Sequence, residues 1–359
     1  MANIGLPNIS VVFTGLGVSA IQRGERGVAC IVIKDDTDTS FTFAEYTGSD
    51  NLTSQETAKY TAKNVSYIKD CLLGGVSKVI VARMGTTGVL TDLLSLIKNK
   101  NFDWIGIAEG TEVDHSELAS FIKSNSNKKY KGVVYKNNAD DAHIVNFTND
   151  KVTYTDDRGE VTGEKYIPRL VGALAGLPLT RSAISYTFTD LLNVAEPADL
   201  EASVNNGEFV LSNDENGVKV VRGINSLTTT GEGITDDFKY ILIIETQDLI
   251  YKDIVSTWAN NYKGKYKNSS DNQYLLIGAI NSYFKELEKE GLLDDDYDNN
   301  AYIDVEAQRL ANIVIYGEDE VSSWDSDKVI SMTVGTQVFL GSNIKILNAM
   351  EDFSIAITI

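Results

Sequence analysis

The sequence predicts a mixed chain of more than one domain, α/β in its first part and α+β in its last. Three observations predict it. At 359 residues the chain exceeds one average domain and can bury a sizeable core. Between Val28 and Tyr135, short apolar runs alternate with stretches of helical period, the pattern of a largely parallel sheet. Beyond about residue 328 the apolar period changes from 3.6 to 2, the signature of strands.

The elements follow in order. Residues 5–20 are rich in Gly and small side chains but hold a β-prone run centred on Ile9, Val11 and Phe13, which reads as an extended arm carrying one strand. The run 28–33 is apolar on both faces, as a buried central strand is, and Asp35, Asp36 and Asp38 close it. Residues 54–73 place Tyr60, Val65, Ile68 and Leu72 at helical spacing until Gly74 and Gly75, and a second buried strand follows at 78–81. The pattern continues with a helix over 89–97, a strand over 104–108, a helix over 116–124 and a strand over 132–135.

Short polar strands with hairpin-turn chemistry are expected between 144 and 164. Pro168 then opens a helix over 169–177, whose Gly172, Ala173, Ala175 and Gly176 admit another backbone closely. Two short strands flank 213–217, a strand is expected at 240–244, and helices pass through Leu249, Val255 and Trp258 and over 271–290, which Gly291 caps. Strands are expected at 328–339 and 344–347, and finally in the alternation Phe353, Ile355, Ile357, Ile359. The domain plan is an arm at 1–25, an α/β domain at 26–215 with an outward-facing β insertion at about 86–165, and a C-terminal domain at 216–359 ending in an arm strand at about 350–359.

Composition excludes several classes of function. The 51 acidic and 32 basic side chains leave a net charge of −19, a field that repels phosphate backbones. The basic run Lys128, Lys129, Lys131 sits among Ser and Asn as a solvated turn does, so nucleic acid is not an expected partner. No stretch approaches the roughly 18 apolar residues of a membrane helix, and direct membrane insertion is not expected. Residues 1–13 lack the basic and apolar regions of a signal peptide, which points to synthesis in the cytoplasm. Cys30 and Cys71 lie among apolar neighbours in no metal-type spacing and read as buried free thiols.

Catalytic material is scarce. His115 and His143, the two histidines, sit in polar surroundings and read as surface residues. Gly15 and Gly17 give half a dinucleotide fingerprint, with no third Gly in register and no buried strand before them. Asp294, Asp296 and Asp298 space like the start of a calcium loop, but Asn299 stands where Gly is required and Val305 where Glu is. No catalytic residue, cofactor or metal is therefore expected. An alternating apolar strand, by contrast, needs another strand for half its backbone groups, and that strand is either internal or supplied by a neighbouring chain.

The segment V-R-G-I-N-S-L-T-T at 221–229 resembles the V-R-G-I-N-T-L-T-T segment of contractile tail sheath proteins, with Ser226 at the frequent Thr. The small-residue helix within 166–186, D-F-K-Y-I at 237–241, K-D-I at 252–254, Y-K-G-K-Y at 262–266 and the long helix at 275–292 follow in the family's order. The likeness covers 166–359 well and 5–33 more weakly, and is nearest to sheaths of Gram-positive phages and phage-tail-like bacteriocins, including the short clostridial, diffocin-like type. Residues 86–164 have no counterpart.

The resemblance implies a sheath-type fold whose N- and C-terminal arms add strands to neighbouring subunits, Ile9, Val11 and Phe13 matching one arm and Phe353, Ile355, Ile357 and Ile359 the other. It further implies a homo-oligomeric helical sheath of stacked hexameric rings around an inner tail tube, with baseplate and tail terminator proteins as partners. Contraction would drive the tube through a target cell envelope without a cofactor, in a virion tail or a released extracellular tail-like particle. Two other readings stand beside it: an α/β enzyme or nucleotide-binding protein, motivated by the strand–helix alternation, and another tail structural protein such as a tube or baseplate component.

Overall fold

A computed structural model describes residues 20–358 and divides them into two compact units. The larger comprises Arg23–Lys252, Glu290–Asp294 and the chain from Ile346 onward; the smaller comprises Asp253–Lys289 and Asp295–Lys345 with the described residues before Arg23.

In the larger unit the chain runs β1 (Val28–Lys34), β2 (Phe43–Tyr46), α1 (Ser54–Thr57), α2 (Ala62–Leu72), β3 (Lys78–Met84), α3 (Leu90–Ile97), β4 (Trp104–Ile107), α4 (Glu112–Ser124), β5 (Lys131–Tyr135) and β6 (Ile144–Phe147). It continues with β7 (Lys151–Tyr154), β8 (Glu160–Thr162), α5 (Ile167–Gly176), β9 (Thr187–Phe188), β10 (Leu191–Val194), α6 (Leu200–Asn205), β11 (Glu208–Phe209), β12 (Leu211–Asp214) and β13 (Gly217–Val220). Helix α7 (Ile241–Thr257) follows.

A seven-stranded sheet in the order β11-β6-β5-β4-β1-β3-β2 forms the centre. Only β2 runs antiparallel in it. Residues of β1 pair with β3 on one side and β4 on the other, Ile31 facing Val81 and Gly106. Because side chains alternate across a strand, Ala29, Ile31 and Ile33 enter the apolar cluster with α2 and α5, while Val28, Cys30 and Val32 enter the one with α3 and α4. Both cysteines are buried and free. Helices α2 and α5 meet without intervening side chains: a Cβ at Gly172 would lie 2.0 Å from the Cys71 carbonyl oxygen, so only glycine fits. Two three-stranded sheets, β10-β7-β8 and β12-β13-β9, complete the unit.

In the smaller unit, α8 (Ser270–Lys289) buries Leu276, Ile280, Tyr283, Phe284 and Leu287. β14 (Asn300–Ile303), α9 (Val305–Tyr316), α10 (Glu318–Val321), α11 (Ser326–Ser331) and β15 (Leu340–Asn343) follow, and β14 and β15 form a two-stranded antiparallel sheet.

The structure differs from the sequence expectation at several places. The expected strand at 240–244 is the first turn of α7; four consecutive apolar residues satisfy a buried helix as well as a buried strand. The expected strand at 328–339 begins in α11, because the Asp325 carboxylate caps that helix on the Lys328 amide and Val329 packs with Val321 and Trp324. Residues 86–165 are not a β insertion. They supply β4, β5 and β6 to the central sheet, and only β7 and β8 lie outside it. The boundary expected at 215/216 falls inside the hairpin turn joining β12 to β13, where Asp214 pairs with Gly217; polar turn chemistry marks a hairpin as readily as a linker.

Candidate functional site

The carboxyl ends of β1 and β4 are where an open parallel sheet of this order would hold a ligand, since the chain turns to opposite sides there. Here the chain's own charges occupy that crevice. Lys34 Nζ lies 2.7 Å from Asp114 Oδ2, and Glu109 pairs with Lys63 and Lys165. Asp35 accepts hydrogen bonds from the Thr61 amide at 2.8 Å and Asn64 Nδ2 at 2.7 Å. Burial raises the Asp35 carboxyl, but those bonds and two from Thr37 outweigh it and bring it down to about 2. A capping box of Thr111 and Asp114 consumes the amides at the start of α4 that would otherwise attract an anion.

His115, expected at the surface, is 1% exposed on α4 and burial lowers its imidazole to about 4. The helical period that turns Leu118 and Ile122 inward carries His115 with them.

A second charged group joins α7 to the amino ends of the strands. Lys131 Nζ, at the start of β5, lies 3.0 Å from Asp248 Oδ2 and 3.4 Å from Glu245 Oε1. Asp248 Oδ1 meets His143 Nε2 at 3.1 Å, Arg26 pairs with Glu245 Oε2 at 3.0 Å, and Trp104 Nε1 donates to Glu245 Oε1. Asp103, ion-paired with Lys252 at 2.8 Å, accepts the amides of Gly27 at 2.9 Å and Val28 at 3.1 Å. Burial pushes the Asp248 carboxyl up, and Lys131 and His143 pull it further down, to about 2.

Two expectations are corrected here. Lys131 is 2% exposed and not part of a solvated turn, and His143 is half-buried against Asp248. A basic run among polar residues gives no sign that one member points inward at carboxylates from a helix over a hundred residues away.

The V-R-G-I-N-S-L-T-T segment forms a latch in the larger unit. Asn225 and Ser226 are 1% and 0% exposed. Asn225 Nδ2 donates to the Phe238 carbonyl at 2.7 Å, its Oδ1 accepts the Leu227 amide, and its own amide donates to the Lys239 carbonyl. Ser226 donates its amide to the Ile144 carbonyl at 2.7 Å and its Oγ to the Asp141 carbonyl at 3.1 Å. Asp140 Oδ1 collects Thr228 N at 2.6 Å, Thr228 Oγ1 at 3.0 Å and Thr229 N at 3.0 Å, and these donors hold its carboxyl well below the usual range. Gly223 leaves room for Ser182, since a Cβ there would stand 2.8 Å from Ser182 Oγ. Asn225 and Ser226 thus satisfy backbone groups of other segments, while Thr228 and Thr229 donate to the Asp140 carboxylate.

The same latch holds the root of the C-terminal tail. Arg222 Nε donates to Glu351 Oε2 at 3.0 Å, its second arm to Asp352 Oδ2 at 2.5 Å, and Ser182 Oγ donates to Glu351 Oε1 at 2.7 Å. Upstream, Leu347 N bonds the Leu292 carbonyl and Ile346 bridges Leu293. Beyond Asp352 the chain changes character. Phe353, Ile355 and Ile357 are 87%, 65% and 77% exposed, and none of 353–358 lies in a strand within the described chain. Ile9, Val11, Phe13 and Ile359 lie outside the described residues.

In the smaller unit, β15 pairs only with β14 among the described residues. A two-stranded sheet is marginal by itself. No helix among the described residues is long and apolar enough to cross a membrane.

A crevice closed by the chain's own ion pairs and an apolar tail left open to water define a class, that of a structural subunit built to join others. Residues 235–359 match the phage tail sheath C-terminal domain family. The chain is 30% identical to the tail sheath protein of Clostridium phage phiCD119, over 98% of this chain and 99% of that one. Among solved structures, a sheath tail protein of Desulfitobacterium hafniense superposes with a TM-score of 0.69 at 15% identity, covering 83% of this chain and 94% of that chain. The sheath of the anti-feeding prophage, in its contracted state, superposes with a TM-score of 0.72 at 12% identity, covering 99% of each chain. The chain belongs to the phage tail sheath protein family and is a structural sheath subunit.

Proposed function

We propose that the subunit polymerises as a helical array of stacked hexameric rings around an inner tail tube, and contracts to drive that tube through a target cell envelope. The carrying observation is the tail: Phe353, Ile355 and Ile357 alternate in sequence, are exposed, and lie in no strand within the described chain. A neighbouring copy supplies that partner by strand addition, in which main-chain bonds give affinity and alternate side chains give register. The open edge of a neighbour's β15 is the receiving site this reading favours, since added strands relieve the marginality of a two-stranded sheet. The N-terminal arm with Ile9, Val11 and Phe13 acts likewise, and Ile359 extends the C-terminal strand.

In this reading residues 1–25 are the N-terminal arm, about 350–359 the C-terminal arm, and 86–165 lies on the outward side. Directional backbone bonds keep subunits linked while broader surfaces exchange during shortening. The extended array stores its energy during assembly, so no nucleotide hydrolysis is needed at the moment of contraction. The self-paired carboxylates at the sheet crevice support a non-enzymatic role over the nucleotide-binding alternative. Baseplate and terminator proteins bound the array, in a virion tail or a released tail-like particle.

Deleting 353–359 tests the reading. By sedimentation and negative-stain microscopy the full chain forms wide hollow tubes, while the shortened chain stays a folded monomer. Tubes formed by the shortened chain at the same concentration would overturn it.

A further inference from the structure

We propose that Arg222 is a positioning residue for assembly: it clamps the root of the C-terminal tail so that the strand leaves the folded body at a fixed point and heading. This deepens, and rests on, the strand-addition reading above.

The geometry singles out this one contact. Arg222 spreads its guanidinium between two consecutive carboxylates, Glu351 at 3.0 Å and Asp352 at 2.5 Å. Glu351 is held from both sides, its second oxygen taking the Ser182 hydroxyl at 2.7 Å, and its side chain is 4% exposed although Met350 before it is fully exposed and Phe353 after it is 87% exposed. The chain thus dips into the body for one residue and leaves again. Glu351 is no part of an apolar pattern, so the pull on it is the charge and hydrogen-bond pair alone.

The holder is itself rigid. The Val221 amide bonds the Val210 carbonyl at 3.1 Å, the Ile241 amide bonds the Gly223 carbonyl at 3.0 Å, and Asn225 and Ser226 are buried two and three residues further on. Downstream of the clamp, 353–358 have no hydrogen bond within the described chain; upstream, the next tether between the tail and another segment of the larger unit is Leu347 on Leu292. Losing the clamp therefore frees five further residues, 348–352.

Freedom at the root matters because a donated strand binds from a tether. Its effective concentration at the neighbour's sheet edge, and the fraction of orientations that can pair, both fall as the free segment lengthens. The clamp is electrostatic and partly exposed, Asp352 being open to water, so salt weakens it. A local sequence motif at 221–229 is in this way connected to an assembly step through a residue 129 positions away.

The test uses the full chain carrying Arg222→Met, Glu351→Gln, or the exchanged pair Arg222→Glu with Glu351→Arg, beside the 353–359 deletion. Critical concentration for tube formation is read by sedimentation, folding by thermal melting, and tail freedom by limited proteolysis of the monomer. The expected result is an unchanged melting temperature, a critical concentration raised about tenfold in Arg222→Met, cleavage extending upstream from 353 to 348, and partial recovery in the exchanged pair. High salt should narrow the gap between wild type and Arg222→Met. If the deletion blocks assembly while Arg222→Met and Glu351→Gln both assemble at the wild-type concentration, the clamp is refuted and strand addition stands. If the deletion itself assembles, strand addition and the clamp fall together. Should Arg222→Met fail to fold, Glu351→Gln decides by the same readings.

Discussion

Strand β1 and the tail at 353–358 are both short, apolar and β-prone, and they end in opposite conditions. The six residues from Val28 to Ile33 are at most 1% exposed, with β3 and β4 pairing on either side. Phe353, Ile355 and Ile357 are largely open to water. Composition does not separate the two, because β structure draws its hydrogen bonds from another strand. For β1 that strand is in the same chain. For the tail, in the reading proposed above, a neighbouring copy supplies it.

The contrast extends to polar groups. In the larger unit, the buried Lys131 is paired with Asp248 and Glu245, and the buried Asp103 with Lys252. The body is thus costly to disturb and the tail is not, so substitutions should divide by location.

Breaking the comparison hardest, Lys131→Met leaves Asp248 and Glu245 without their buried cation and is expected to destabilise the monomer by about 3–5 kcal/mol in urea unfolding. A loss under about 1 kcal/mol would show that water reaches those carboxylates.

His115 sharpens the picture through pH. Its folded-state value of about 4 lies below the ordinary 6.5, so the unfolded chain binds the proton first and stability falls as pH drops from 6.5 to about 4. His115→Leu should remove that slope, worth roughly 3 kcal/mol at most across the window, when unfolding is followed at pH 7, 5.5 and 4. Equal slopes in both proteins would mean that the buried ring is not what titrates. Asp248 behaves in the same sense but lower: its contribution holds above the ordinary carboxylate range and is lost only as pH falls toward 2.

Gly172→Ala probes the close approach of α2 and α5. A methyl group aimed at the Cys71 carbonyl should cost about 1–3 kcal/mol and lower the melting temperature without changing secondary structure by circular dichroism.

The smallest effect on stability belongs to the tail. Ile355→Ser and Ile357→Ser should leave the monomer's unfolding midpoint within about 0.5 kcal/mol of wild type, while tube formation is impaired. A tail substitution that destabilised the monomer itself would place these side chains in the chain's own core.

Much of the fold was legible in the sequence. The alternation of 28–33, 78–81, 104–108 and 132–135 with helical segments predicted the parallel sheet, because strand and helix periods are local properties of side-chain direction. The small-residue stripe at 172–176 announced close packing. Misreadings occurred where a local signal had two physical meanings: I-L-I-I at 241–244 served a helix, and the polar turn at 213–217 closed a hairpin.

What the sequence by itself determined is the kind of chain this is: its strand and helix periods, its scarcity of catalytic groups, the V-R-G-I-N-S-L-T-T segment and the apolar alternation at 353–359. Only the tertiary structure decided that Lys131 is buried against α7, that His115 faces the core, and that Arg222 grips Glu351. The physical reason is range. Periodicity and turn chemistry act between residues a few positions apart, whereas ion pairs and hydrogen bonds join groups that folding brings together from 117 and 129 positions away.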